Sequence, residues 1–126
     1  MHTITPLPDN AEPLYDLTMI QKMARGNEAF LKRTKQLFVD TVPQTVSELQ
    51  QHYAAADWDA VSSSAHKLKA TIDALRIESL KTVVRQIESD AKQQVNLAQM
   101  QTSVEFLTYI MGQVINKFRE ELTEGV

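Results

Sequence analysis

Cysteine is absent from the 126 residues, and its absence excludes a disulfide framework, a thiolate metal site and a cysteine nucleophile. Glycine is scarce. Gly26, Gly112 and Gly125 cannot be arranged into G-x-G-x-x-G or G-x-x-x-x-G-K-[ST], so the loops that cradle nucleotide phosphates are excluded as well. There is no cationic excess: thirteen Lys+Arg stand against sixteen Asp+Glu, and a net charge of −3 has the wrong sign for a nucleic-acid partner. No apolar run approaches the ~20 residues of a membrane span, so none is expected. The start, Met1-His2-Thr3-Ile4-Thr5-Pro6, lacks the basic end and apolar stretch of a signal peptide, which gives an expectation of a cytoplasmic protein. Runs of strict polar–apolar alternation are missing too, leaving a β-sheet without material.

What the chain does have is helical periodicity. Residues 1–13, with Pro6, Pro8 and Pro13, read as an extended lead-in, and residues 14–126 as one helical domain. Leu17, Ile20 and Ala24 outline a short first helix, entered at Asp16 or Thr18 and closed near Gly26-Asn27, where glycine takes the left-handed turn. A long second helix begins at Asn27 or Glu28, with a stripe of Leu31, Phe38, Val42, Leu49 and Tyr53, widened by Phe30 and Leu37. Pro43 falls inside this pattern without shifting its phase, so a bend is expected rather than an end. The third helix starts after Asp57 and buries Trp58, Val61, Ala65, Leu68, Ile72 and Leu75. A fourth carries Ile77, Leu80, Val84, Ile87 and Ala91. The fifth runs from Leu97 through Met100, Val104, Leu107, Met111, Val114 and Phe118 to Leu122. Four such seams joined by short connections predict an all-α antiparallel four-helix bundle with a short additional N-terminal helix. A coiled-coil dimer is the alternative, but the breaks at Gly26-Asn27 and Asp57 favour an intramolecular fold and a monomer.

One polar group stands out on the third helix. At ~100° per residue, His66 points about 130° from the centre of the buried stripe, toward solvent. Ser62 and Ala70 lie one turn to either side, so the histidine has small neighbours, and Lys69 follows three residues on with Asp73 beyond it. Such a window lets a group carried by another protein approach, and the Lys69 ammonium would compensate a phosphoryl charge at close range. Lys67 lies further round the surface. His2 and His52 have no comparable window. No second histidine or carboxylate stands four residues from His66, so no metal site is expected on this helix.

Ala65-His66-Lys67-Leu68-Lys69-Ala70-Thr71-Ile72-Asp73-Ala74-Leu75 resembles the active-helix motif of histidine-containing phosphotransfer (HPt) domains, A-H-x-L-K-G followed by small residues. Gly26-Asn27-Glu28-Ala29-Phe30-Leu31 resembles the G-D/N-x-x-F-L start of that family's second helix. Ala56-Asp57-Trp58, Ile77-Glu78-Ser79-Leu80 and Ile87-Glu88 extend the likeness over roughly Leu14 to Phe118. Three positions depart from the pattern. Ala70 replaces a usual glycine and narrows the approach to His66. Asp73 replaces a usual small residue and sets a charge beside the docking face. Arg76 replaces a glycine at the helix end, where a left-handed backbone costs a side-chain-bearing residue roughly 1 kcal/mol.

The resemblance implies a phosphorelay carrier. His66 would accept a phosphoryl group and Lys69 balance its charge, with Ser62, Ser63, Lys67, Ala70 and Asp73 forming the docking surface. Partners would be response-regulator receiver domains and a hybrid sensor histidine kinase. It also implies no cofactor on this chain, since magnesium belongs to the receiver, and no kinase or ATPase activity of its own. Two other readings of the residues remain: a helical interaction module with His66 as ordinary surface, and a metal- or cofactor-binding bundle.

Overall fold

A computed structural model describes residues 14–124, so the proposed lead-in of residues 1–13 lies outside the described part. Five helices follow in order: α1 Thr18–Ala24, α2 Glu28–Ala54, α3 Trp58–Ala74, α4 Glu78–Gln93 and α5 Leu97–Glu124. Among the described residues there is no strand. Helices α2 to α5 close into a four-helix bundle in which α3 lies between α2 and α4, and α5 completes the ring against α2 and α4. The short α1 packs on α2.

The helix starts follow from the side chains that precede them. Asn27 Oδ1 accepts from the Phe30 amide at 3.0 Å, and Asp57 Oδ1 accepts from the Ala60 amide at 3.2 Å, satisfying donors that the first turn leaves free. At α1 the cap sits slightly upstream of the helix: Asp16 Oδ1 accepts from both the amide and the hydroxyl of Thr18. Pro43 lies within an unbroken α2.

The helix ends show what scarce glycine does to the backbone. Behind α2, α3 and α4 the chain turns through Ala56, Arg76 and Gln94, all left-handed with φ of 56°, 51° and 57°. In each, the next amide reaches back five residues: Asp57 to His52, Ile77 to Ile72 and Val95 to Asp90, all at 3.0 Å. This paired closure usually takes glycine. Arg76 therefore carries the backbone strain expected of it. At the end of α1, Arg25 (φ 51°) shares the left-handed turn with Gly26 (φ 83°).

The core is continuous through all five helices. Leu49, Val61, Leu68, Ile72, Leu80, Val84, Ile87, Leu107, Met111, Val114 and Phe118 are essentially inaccessible, each side chain of this kind contributing roughly 1.5–3 kcal/mol on burial. Leu37 differs from expectation. It is 62% exposed, because the seven-residue α1 covers only part of the outer flank of α2 and leaves Leu37 on the rim. Ahead of α1, residues 14–17 strap the bundle end. The Asp16 amide donates to the Leu75 carbonyl at 2.8 Å, and the Tyr15 hydroxyl donates to Glu121 at 2.9 Å while its ring meets Phe118 edge-on. Burial, then the Glu121 carboxylate, pushes the Tyr15 hydroxyl above its ordinary titration range.

Candidate functional site

The same α3 residues that turn Val61, Ala65, Leu68 and Ile72 inward turn His66 outward, with 67% of its side chain accessible. Ser63, Lys67 and Ala70 share the exposed surface around it. Ser62 does not. It is buried, and its hydroxyl donates to the Glu88 carbonyl on α4 at 3.2 Å, which corrects its assignment to the docking surface. Its role is to join α3 to α4 directly beneath His66. Smallness at this position serves helix approach as well as openness.

Glu88 organises the site. Its Oε2 lies 2.8 Å from His66 Nδ1, and its Oε1 lies 2.9 Å from Lys69 Nζ. The Lys69 hydrogen bond holds the Glu88 carboxyl below its ordinary range; burial opposes this and the contact with His66 assists it. An ionised carboxylate can only accept, so it selects the imidazole tautomer whose proton is on Nδ1. The lone pair is then on Nε2, the nitrogen remote from the backbone and turned from Glu88. Lys69 reaches the site from one turn along α3, with 29% of its side chain exposed, and is tied to Glu88 instead of standing free.

Glu88 enters the sequence reading only as part of the family likeness, because its contact with His66 and Lys69 does not arise from spacing on one helix. A signal was nonetheless there. Eleven residues separate His66 from Ile77 in the α3–α4 turn, and eleven separate Ile77 from Glu88, so at 1.5 Å per residue the two reach the same height on antiparallel helices. Further along the groove Asp73 is likewise met from α4: Arg85 Nη2 donates to Oδ2 at 2.6 Å and Nη1 to Oδ1 at 3.1 Å. Arg85, chiefly through these hydrogen bonds, keeps the Asp73 carboxyl below its usual range.

On the other flank of α3 lies an apolar groove of about 180 Å³, lined by Ile20 of α1, Leu37, Phe38 and Thr41 of α2, and Thr71 and Ala74 of α3. Met19 and Met23 on α1 expose 40% and 63% of their surface. Among the described residues no group of three His, Asp or Glu side chains is placed to hold a metal ion, and no helix is long and apolar enough to cross a membrane.

A family model described as Hpt domain matches residues 33–124, which span His66, Lys69 and Glu88 together with the four bundle helices apart from the first turn of α2. Searches of curated proteins and of solved structures found no match. Helical bundles that carry phosphoryl groups on histidine in phosphorelays are what that family comprises, and the present chain belongs to it.

Proposed function

We propose that His66 takes a phosphoryl group from an aspartyl phosphate on one receiver domain and hands it to an aspartate on another. The observation that carries this reading is an exposed imidazole whose Nδ1 is held by Glu88 at 2.8 Å, leaving Nε2 as the available nucleophile. In the forward step the Nε2 lone pair forms a bond to phosphorus, the P–O bond to the aspartate breaks, and the aspartate leaves as a carboxylate. The ring keeps its proton on Nδ1 and becomes cationic, facing the Glu88 carboxylate as that charge develops. Return of the phosphoryl group to a second aspartate reverses each change.

Lys69 balances charge at the site from its pairing with Glu88, and a short swing of its flexible stem would bring the ammonium to the phosphoryl oxygens. Magnesium and the reacting aspartates belong to the receivers, so the chain is a carrier without kinase or ATPase activity. The docking surface comprises Ser63, Lys67, Ala70 and Asp73 with the apolar groove between α1, α2 and α3, an apolar patch with a polar surround. It serves as a monomer in the cytoplasm, between a hybrid sensor histidine kinase and a response regulator. Incubation with receivers labelled on their aspartates tests the reading. Label should move to this chain, and failure with every receiver of a broad panel would overturn it.

A further inference from the structure

Beyond Lys69 the α3–α4 groove holds a second polar pair that the transfer chemistry does not use. Asp73 lies seven residues past His66, hence on the same face of α3 and ~10 Å along its axis. The Arg85 guanidinium meets it with two parallel hydrogen bonds, and Nη1 also donates to the Lys81 carbonyl at 3.0 Å, so the cation is fixed at both ends. Both side chains remain about two-fifths exposed. An ion pair this open adds little to stability, yet a bidentate fork has a defined direction: carboxylate on α3, guanidinium on α4. Beside it opens a cleft of about 350 Å³ lined by Met19, Ile72, Asp73, Arg76, Glu78, Lys81 and Arg85, large enough to seat a partner's side chain.

We infer that Asp73 and Arg85 form a charge-order filter, selecting among receiver domains by the charges those domains carry opposite α3 and α4. The inference rests on the reading of His66 as phosphoryl acceptor. An approaching aspartyl phosphate is a dianion, and a bare carboxylate two turns from His66 would oppose it. Arg85 cancels that opposition. The pair is then neutral overall but still ordered, favouring a partner with a cation over α3 and an anion over α4 and opposing the reverse. One turn nearer His66 the Lys69–Glu88 pair has the opposite order, cation on α3 and anion on α4, so the filter is confined to the Asp73 end of the groove, where Lys81 adds a second cation on the α4 side. Charges at the edge of an interface act chiefly on association and selectivity, and salt screens them.

The test uses the full chain and a panel of receiver domains charged on their aspartates by acetyl phosphate. In the exchanged variant Asp73→Arg/Arg85→Asp, the net charge and the pair survive while the order reverses. The ranking of receivers by kcat/KM should change, by about threefold or more at low ionic strength, with kcat held and the difference shrinking at high salt. Arg85→Ala should lower kcat/KM for every receiver, and Asp73→Ala/Arg85→Ala should recover the level while compressing the spread between receivers. An unchanged ranking in the exchanged variant overturns the inference. If that variant does not fold by circular dichroism, the double alanine variant decides: an undiminished spread between receivers overturns it. Absence of label on the wild-type chain would instead defeat the reading of His66 itself.

Discussion

The two sides of α3 are built on different principles. Val61, Ala65, Leu68 and Ile72 are at most 1% exposed and hold their places by volume and shape. On the opposite side His66, Lys69 and Asp73 are held by directed contacts from α4, through Glu88 and Arg85. The buried side specifies where the helix lies; the open side specifies which nitrogen of one imidazole faces outward. Because the contacts on the two sides are separate, damage on one should leave the other largely intact.

His66→Gln should break the open side completely, abolishing phosphoryl acceptance while leaving the thermal transition within a degree or two, since an exposed ring leaves no cavity. Leu68→Ala should do the converse. A cost of ~2–4 kcal/mol in denaturant unfolding is expected, with normal transfer by the molecules that stay folded. Loss of transfer without loss of stability in that variant would mean that the two sides are not independent.

Lys69→Ala sharpens the comparison on the polar side. Loss of a charge-assisted contact worth ~1.5–3 kcal/mol predicts a ten- to hundredfold slower transfer. It also has a signature in acid. Glu88 is held below its ordinary range, so its contribution to stability is complete above the unfolded value and is lost as pH falls through the depressed folded one. Removing Lys69 removes the largest cause of that depression, and acid unfolding should begin at higher pH than in the wild type. A larger kinetic effect from Lys67→Ala would reverse the roles given to the two lysines. The smallest effect belongs at the helix end. Arg76→Gly should stabilise the chain by ~1 kcal/mol in denaturant unfolding by relieving a left-handed backbone at φ 51°.

The periodicity of a single helix was enough to place most of the core, to turn His66 outward and to bring Lys69 to its side, because those relations repeat every 3.6 residues. Relations between helices were not legible in the same way. Ser62 lies one turn from His66, where spacing on α3 alone predicts open surface, but the approach of α4 buries it. Glu88 and Arg85 gain their partners only when the α3–α4 hairpin closes. Glu88 stands as far past Ile77 as His66 stands before it, whereas Arg85 is eight residues past Ile77 against four for Asp73 and reaches back one turn, so its contact leaves no trace in the spacing. Leu37 fits the stripe of α2, and only the shortness of α1 explains its exposure. The strain at Arg76 was legible because the position departs from a family pattern; the same device at Ala56 and Gln94 gave no such signal.

The most direct measurement is the position of the phosphoryl group after transfer from a labelled receiver, read by mass spectrometry for the residue and by nitrogen and phosphorus NMR for the ring atom. The expected product is a phosphoramidate on Nε2 of His66, lost in acid and stable in alkali, with the proton retained on Nδ1 opposite Glu88. Phosphorylation on Nδ1 would contradict the role given to Glu88, and an acid-stable ester on Ser63 or Thr71 would contradict the assignment of His66.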